Sequence, residues 1–335
     1  MGNCRYTVGS GSLDGQPLVV LEDFECGRRL QVALHGGAVV SFSVRVNGVT
    51  HELAEGYRSG AEIAGRPGSR FALLAPFPGR VADARYHFDG HAQDLDPGVT
   101  GAARASRHGF VRDADFELVA SAADDDHASV TLATQAIRPR PGYPFSIDLA
   151  VTFTLAAVGL TLEARMRNVG DDPAPCYFGW HPYWRVGTET IAEWELCVPA
   201  QTLIRTDTDM IVLPGAAAYV PVDDVPALDY REPRRLADSI LDQGYTDLAA
   251  DADGRMRTRL RNPATGLGLA LWQERGVMHV YTADTLARDA RKAVALEPME
   301  CMANAFNRPE CADAIRLRPG AERVFRCGVE LEIAP

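Results

Sequence analysis

Ile147-Asp-Leu-Ala-Val-Thr-Phe-Thr-Leu-Ala-Ala-Val-Gly-Leu-Thr-Leu-Glu-Ala-Arg-Met-Arg167 is the stretch that decides the fold class. Ile147, Leu149, Val151, Phe153 and Leu155 alternate with polar or small residues. After Ala156-Ala-Val-Gly159 the alternation resumes, with Leu160, Leu162, Ala164 and Met166 set against Thr161, Glu163, Arg165 and Arg167. A period of two sends successive side chains to opposite faces of a strand. The stretch therefore predicts an antiparallel hairpin with one face buried. Phe325, Cys327, Val329, Leu331 and Ile333 repeat the pattern near the C-terminus.

Working outward, Pro17–Leu21, Leu30–Leu34 and Ala38–Val46 are short β-rich runs separated by Cys26-Gly, His35-Gly-Gly and Asn47-Gly. Asn-Gly is a strong hairpin signal, so residues 17–50 read as a meander. A Gly/Ser-rich loop is expected over 59–69. Pro76-Phe-Pro-Gly79 predicts an irregular segment presenting Arg80, then a strand ending at the Asp89-Gly90 turn. Arg234–Ile240 reads as one short helical turn, and Leu241–Leu248 as a polar-aromatic loop offering Asp242. Leu267–Gln273 and Val277–Thr282 read as strands. The expectation is one all-β domain over 1–335, core from about 13, built as a large antiparallel β-sandwich of two packed sheets with little helix.

At 46% hydrophobic and 24% charged residues, the 335-residue chain has the composition of a globular protein with a sizeable core. Its net charge of -11 argues against nucleic acid and against an anionic membrane surface. The seven cysteines are odd in number and contain no C-x-x-C pair, which gives neither a disulfide framework nor a zinc pattern. No apolar run is long enough to span a membrane, and the N-terminus lacks a signal-peptide core. Met1-Gly-Asn-Cys-Arg-Tyr6 has the glycine for myristoylation but Tyr6 where Ser or Thr is wanted. A cytoplasmic protein is expected. No phosphate-binding glycine loop and no G-x-S-x-G elbow is present. Of the 34 basic residues only Lys292 is lysine, which leaves Schiff-base chemistry a single nucleophile.

Four segments carry candidate chemistry. In Ala293-Val-Ala-Leu-Glu-Pro-Met299, Glu297 follows an apolar run and precedes Pro298, where sheet pairing is expected to stop. Such a carboxylate is either an arginine's partner or a desolvated general base, because burial raises a carboxylate's pKa. In Cys176-Tyr-Phe-Gly-Trp-His-Pro-Tyr-Trp184, extended backbone puts Tyr177, Gly179 and His181 on one face. His181 is then a core histidine or, among aromatic rings, a contact for a sugar, whose C–H faces stack while its hydroxyls hydrogen-bond. His108, beside Gly109, is a surface loop residue or a ligand contact. His87 and His91 have a helical metal spacing, but Asp89-Gly90 between them reads as a hairpin turn, so no metal site is expected.

Taken in order, Gly79-Arg80, His108-Gly109, His181-Pro-Tyr-Trp184, Leu241-Asp-Gln-Gly-Tyr-Thr246, Leu296-Glu-Pro-Met299 with Asn304-Ala-Phe-Asn307, and Leu317-Arg-Pro-Gly-Ala-Glu322 resemble the aldose 1-epimerases, the galactose mutarotase-like family. The resemblance runs from about residue 30 to the C-terminus. It implies a galactose mutarotase-like supersandwich with an open sugar cleft on one sheet. Glu297 would be the general base and His181 the general acid, facing each other across the sugar. Arg80, His108 and Asp242 would hold hydroxyls, with Gln273 as a further candidate. It implies a small-molecule sugar as partner, no cofactor, and a monomer or homodimer. Gly79 departs from the asparagine many relatives carry there. An aldose 6-phosphate as substrate would want several arginines converging on the phosphate. A sugar-binding module and a glycoside hydrolase-like protein are the other readings; hydrolysis asks for two carboxylates flanking the bond, and Asp242 is the obvious partner for Glu297.

Overall fold

The computed structural model describes residues 4–98 and 105–333. Met1–Asn3, the start of the N-terminal hexapeptide, and the last two residues lie outside them. Every ladder between named strands is antiparallel. Two large sheets are present, as expected, and the N-terminal meander adds a third.

The nine-stranded sheet is centred on the hairpin that decided the fold class. Ile147–Ala156 pairs with Gly159–Asn168 in continuous register from Ile147↔Asn168 to Ala156↔Gly159. Ile147, Leu149, Val151, Phe153 and Leu155 are all buried. Glu322–Ile333 docks beside Gly159–Asn168 and links it to Leu267–Gln273. The eight-stranded sheet runs Tyr219–Pro221, Ala200–Ile204, Asp242–Leu248, Val277–Tyr281, Val294–Met299, Gly179–His181, Ala72–Leu74, with Tyr183–Trp184 also on Val294–Met299. The five-stranded meander spans Tyr6–Leu13 to Val49–Glu52.

Buried side chains from Tyr6 to Val329 form one contiguous cluster. An aromatic cross ties the meander to the eight-stranded sheet. Phe71 meets Trp180 and Trp184 edge-on at 5.8 and 5.1 Å, and Trp184 meets Phe42 at 6.4 Å. Because the core is continuous, one cooperative thermal transition is expected. Limited proteolysis releasing two stable halves would contradict it.

A buried charge hub closes the meander against the rest. Glu55, 1% exposed in its side chain, meets Arg58 and Arg185 at 3.0 Å and Arg70 at 3.3 Å, and also pairs with Arg288. Arg70 is itself buried, and Arg288 reaches on to Glu62 at 2.9 Å.

Four local expectations need correction. The 59–69 segment contains a helix, Gly60–Gly65, started by the Ser59 side chain accepting from Glu62 N. Asp242–Leu248 is a strand, and Arg234–Arg235 is a two-residue strand rather than part of a helical turn. Pro298 does not stop pairing, since the register with Val277–Tyr281 continues through Pro298↔Met278 to Met299↔Val277.

Candidate active site on one face of the eight-stranded sheet

Strand parity builds the site. Asp242 and Gly244, His279 and Tyr281, Glu297 and Met299 are i, i+2 pairs on neighbouring strands, so each pair projects from the same face. With His181, Tyr183 and Ile204 they line a cavity of about 600 Å³, and Arg80, Arg107 and His108 close it from a separate two-stranded ladder. That volume lies within the usual range for small-molecule sites, roughly 300–1,000 Å³.

His279 stands directly opposite Glu297 in the ladder. Its Nε2 is 2.7 Å from Asp242 Oδ1. His181 Nε2 lies 3.3 Å from Glu297 Oε1, so these two touch rather than face each other across a ring, which corrects the expected geometry. The His181 ring stacks on Tyr183 at 5.0 Å and meets His108 edge-on at 5.5 Å. His108 Nδ1 accepts from Gly79 N–H at 3.2 Å, which leaves the proton of the neutral ring on Nε2. Tyr183 is fixed by donating to Gly68 O at 2.9 Å.

Arg80 and Arg107 are direct neighbours across the two-stranded ladder of Arg80–Ala82 and Ala105–Arg107. Among the described residues neither guanidinium has an ion-pair partner or a hydrogen bond, whereas Arg70 and Arg288 in the same cavity wall are held by Glu55 and Glu62. Gly79 explains its own departure from asparagine. It has φ +65°, and a Cβ there would sit 2.4 Å from Ala303 Cβ.

The charges sort by environment. Burial lifts the Glu297 carboxyl to about 7, although His279 opposes this. Burial and the neighbouring His279 drop His181 to about 3, and burial puts His108 well below its ordinary value. Burial also works against charge on His279, but the Asp242 hydrogen bond and the charge of Glu297 offset it and hold that ring above its ordinary value. Asp242 is held low despite burial by its bond to His279 and by the His279 and Arg80 charges.

The structure thus gathers Glu297, His181, Arg80, His108 and Asp242 around one cavity. Gln273 is not among the lining residues; its amide donates to Arg275 O at 2.7 Å and Val277 O at 3.1 Å, tying a turn together. Tyr177, expected beside His181, is buried with its hydroxyl donating to Pro78 O. Lys292 lies outside the cavity. His87 and His91 flank the turn of a hairpin, with Phe88↔His91 in register. Sequence reasoning missed His279 and Arg107. The alternation of Val277, His279 and Tyr281 on one face was a usable signal for the first.

The profile of the family described as aldose 1-epimerase matches residues 17–330. The chain belongs to the aldose 1-epimerase family. This is a family of isomerases. The uncharacterized Escherichia coli K12 protein YihR is 27% identical over 236 residues, covering 70% of this chain and 71% of that protein. Galactose 1-epimerase from Lactobacillus acidophilus NCFM superposes with a TM-score of 0.81 at 14% identity, covering 99% of this chain and 100% of that one. A GalM/aldose epimerase homologue from Caenorhabditis elegans gives 0.79 at 20% identity, covering 93% and 97%. No helix among the described residues is long and apolar enough to cross a membrane.

Proposed function

We propose that this aldose 1-epimerase family member interconverts the α and β anomers of a free aldose. The observation that carries the reading is the Glu297 carboxyl, lifted to about 7 at the floor of a sugar-sized cavity beside three imidazoles. Anomerisation removes the proton of the C1 hydroxyl, breaks C1–O5 and gives O5 a proton. Rotation about C1–C2 and the reverse steps then close the other anomer. O1 and O5 are both bonded to C1, so acid and base can sit side by side on one wall and need not lie on opposite sides of the ring. Glu297 is the base for O1. The group serving O5 must hold a proton at working pH, and His108, His181 and His279 compete for it. Tyr281, which lines the cavity and is only partly buried, offers a ring for the sugar's C–H surface.

NMR exchange between anomers across a panel of aldoses and aldose 6-phosphates tests this. Acceleration of at least one sugar, abolished in Glu297→Gln, is expected; acceleration of none ends the proposal. Arg80 and Arg107 favour a second reading, in which the aldose carries a phosphate. Two adjacent guanidiniums repel, and burial adds to that pressure on Arg80, so an anion between them relieves both costs. On this reading KM is lower for a 6-phosphate than for its parent sugar, and Arg107→Gln removes the difference. Equal KM values would leave the neutral aldose as substrate. We place the protein in a reducing, cytoplasmic setting, a reading its seven free cysteines support.

A further inference from the structure

We propose that Asn304 is a positioning residue whose side-chain oxygen sets the place of Arg80 over the sheet that carries Glu297. This rests on the epimerase reading above and gives a role to a string that reading left unused, Asn304-Ala-Phe-Asn307. Arg80 approaches the cavity from outside both large sheets. Its strand, Arg80–Ala82, pairs with Ala105–Arg107 in a ladder of two short strands. Among the described residues its guanidinium makes no ion pair or hydrogen bond, so its place is set by its backbone.

What holds that backbone is the segment just after the Glu297 strand. Ala303 abuts Gly79, where an added Cβ would lie 2.4 Å from Ala303 Cβ. Asn304 Oδ1 accepts from Ala82 N–H at 3.0 Å, two residues past Arg80. Asn307 Nδ2 donates to the Arg85 carbonyl and to the same Asn304 oxygen, both at 2.8 Å. Phe306 packs on Phe77 at 5.4 Å and on Tyr86 at 4.8 Å. The 303–307 segment thus grips the chain on both sides of Arg80, and Asn304 supplies its hydrogen bond to the arginine strand itself. Met302 and Ala303 line the cavity with Glu297, so base and arginine are referenced to one continuous piece of chain.

The choice of asparagine has two physical reasons. Residue 304 has φ +61° and ψ 19°, in the left-handed region that asparagine enters more readily than most side chains. Its oxygen, on a residue 7% exposed, takes two N–H donors, the capacity of its two lone pairs. Glycine suits the same backbone but offers no acceptor, so Asn304→Gly removes the bond without adding strain. The arginine strand then loses its tether while Glu297, His181 and His279 stay on the eight-stranded sheet. A contact made equally to bound sugar and to the transition state is uniform binding, and its loss is read in KM rather than kcat.

Anomer-exchange kinetics of wild type, Asn304→Gly, Arg80→Ala and the double variant test the assignment, with amide hydrogen exchange on the same preparations. Asn304→Gly should raise KM at least about tenfold, the low end for a hydrogen bond made by a charged group, with kcat nearly unchanged. On the Arg80→Ala background it should raise KM no further, because Asn304 acts through Arg80. In the free protein Asn304→Gly should speed exchange of the Ala82 amide and leave the Val294–Met299 strand protected. An unchanged KM in Asn304→Gly, or the same rise with Arg80 absent, overturns the proposal and leaves Asn304 a structural asparagine. If Asn304→Gly fails to fold, Asn307→Ala at an exposed position decides. It frees the Asn304 side chain and should raise KM by a smaller factor, again only while Arg80 is present; no rise overturns the proposal. A wild type that exchanges no sugar ends the epimerase reading alone. The Ala82 amide tests the tether without any sugar, and unchanged exchange there in Asn304→Gly overturns it.

Discussion

Glu297→Gln is expected to slow anomer exchange by at least about 10²-fold and, at pH 8, to raise the thermal midpoint. The rate falls because the amide cannot take the O1 proton. The stability gain follows from linkage. The carboxyl sits at about 7 in the folded protein against an ordinary 4.5, so the folded state binds this proton more tightly than the unfolded chain. The stability so gained is fully present below 4.5 and is lost as pH rises through about 7. Above that the buried charge costs on the order of 3 kcal/mol, from about 1.4 kcal/mol per pKa unit, and glutamine escapes the cost. Calorimetry at pH 5 and pH 8 with exchange rates on the same preparations reads both effects. A variant that is less stable at both pH values and equally fast would make Glu297 a structural carboxylate.

Glu55→Ala should destabilise the fold by about 3–5 kcal/mol, the usual cost of stripping one partner from a buried ion cluster. Arg70 is 2% exposed in its side chain and would keep its charge with no carboxylate against it. Two further arginines, Arg58 and Arg288, retain Asp289. Denaturant unfolding of Glu55→Ala against wild type measures the loss. A change below about 1 kcal/mol would mean that water enters the hub and screens it, as it does for surface pairs.

The fold was legible where one face of a strand is buried and the other is wet. The 147–167 hairpin announces its register because a slip of one residue would expose every apolar side chain. Asp242 was harder. Gly244 two residues on reads as a turn, but it lies within a strand, where a Cβ would press on the Ile204 side chain at 3.1 Å. Glycine there serves a close approach between strands, which needs the neighbour to be recognised. The site residues in motif-like strings, Glu297, His181, Arg80 and His108, could be read in isolation. His279 acquires its chemistry only from what stands beside it, Glu297 across one ladder and Asp242 across the next, and pairing between strands far apart in sequence is not written in either strand. Gln273 shows the converse. The family resemblance made it a candidate, yet two backbone carbonyls claim its amide.

The Glu55 hub also bears on turnover. Through Arg288 and Arg70 it ties down the side of the cavity formed by the 284–288 segment, and Arg288 is held there by Glu62 and the Gly56 carbonyl as well. A rim bolted to the core in this way is a standing wall. On the epimerase reading proposed above, sugar passing this wall needs no closing and reopening step there. On that reading, turnover should then follow solvent viscosity only as far as diffusion of the sugar itself does, with the proton transfers at O1 and O5 the slow event at saturating substrate.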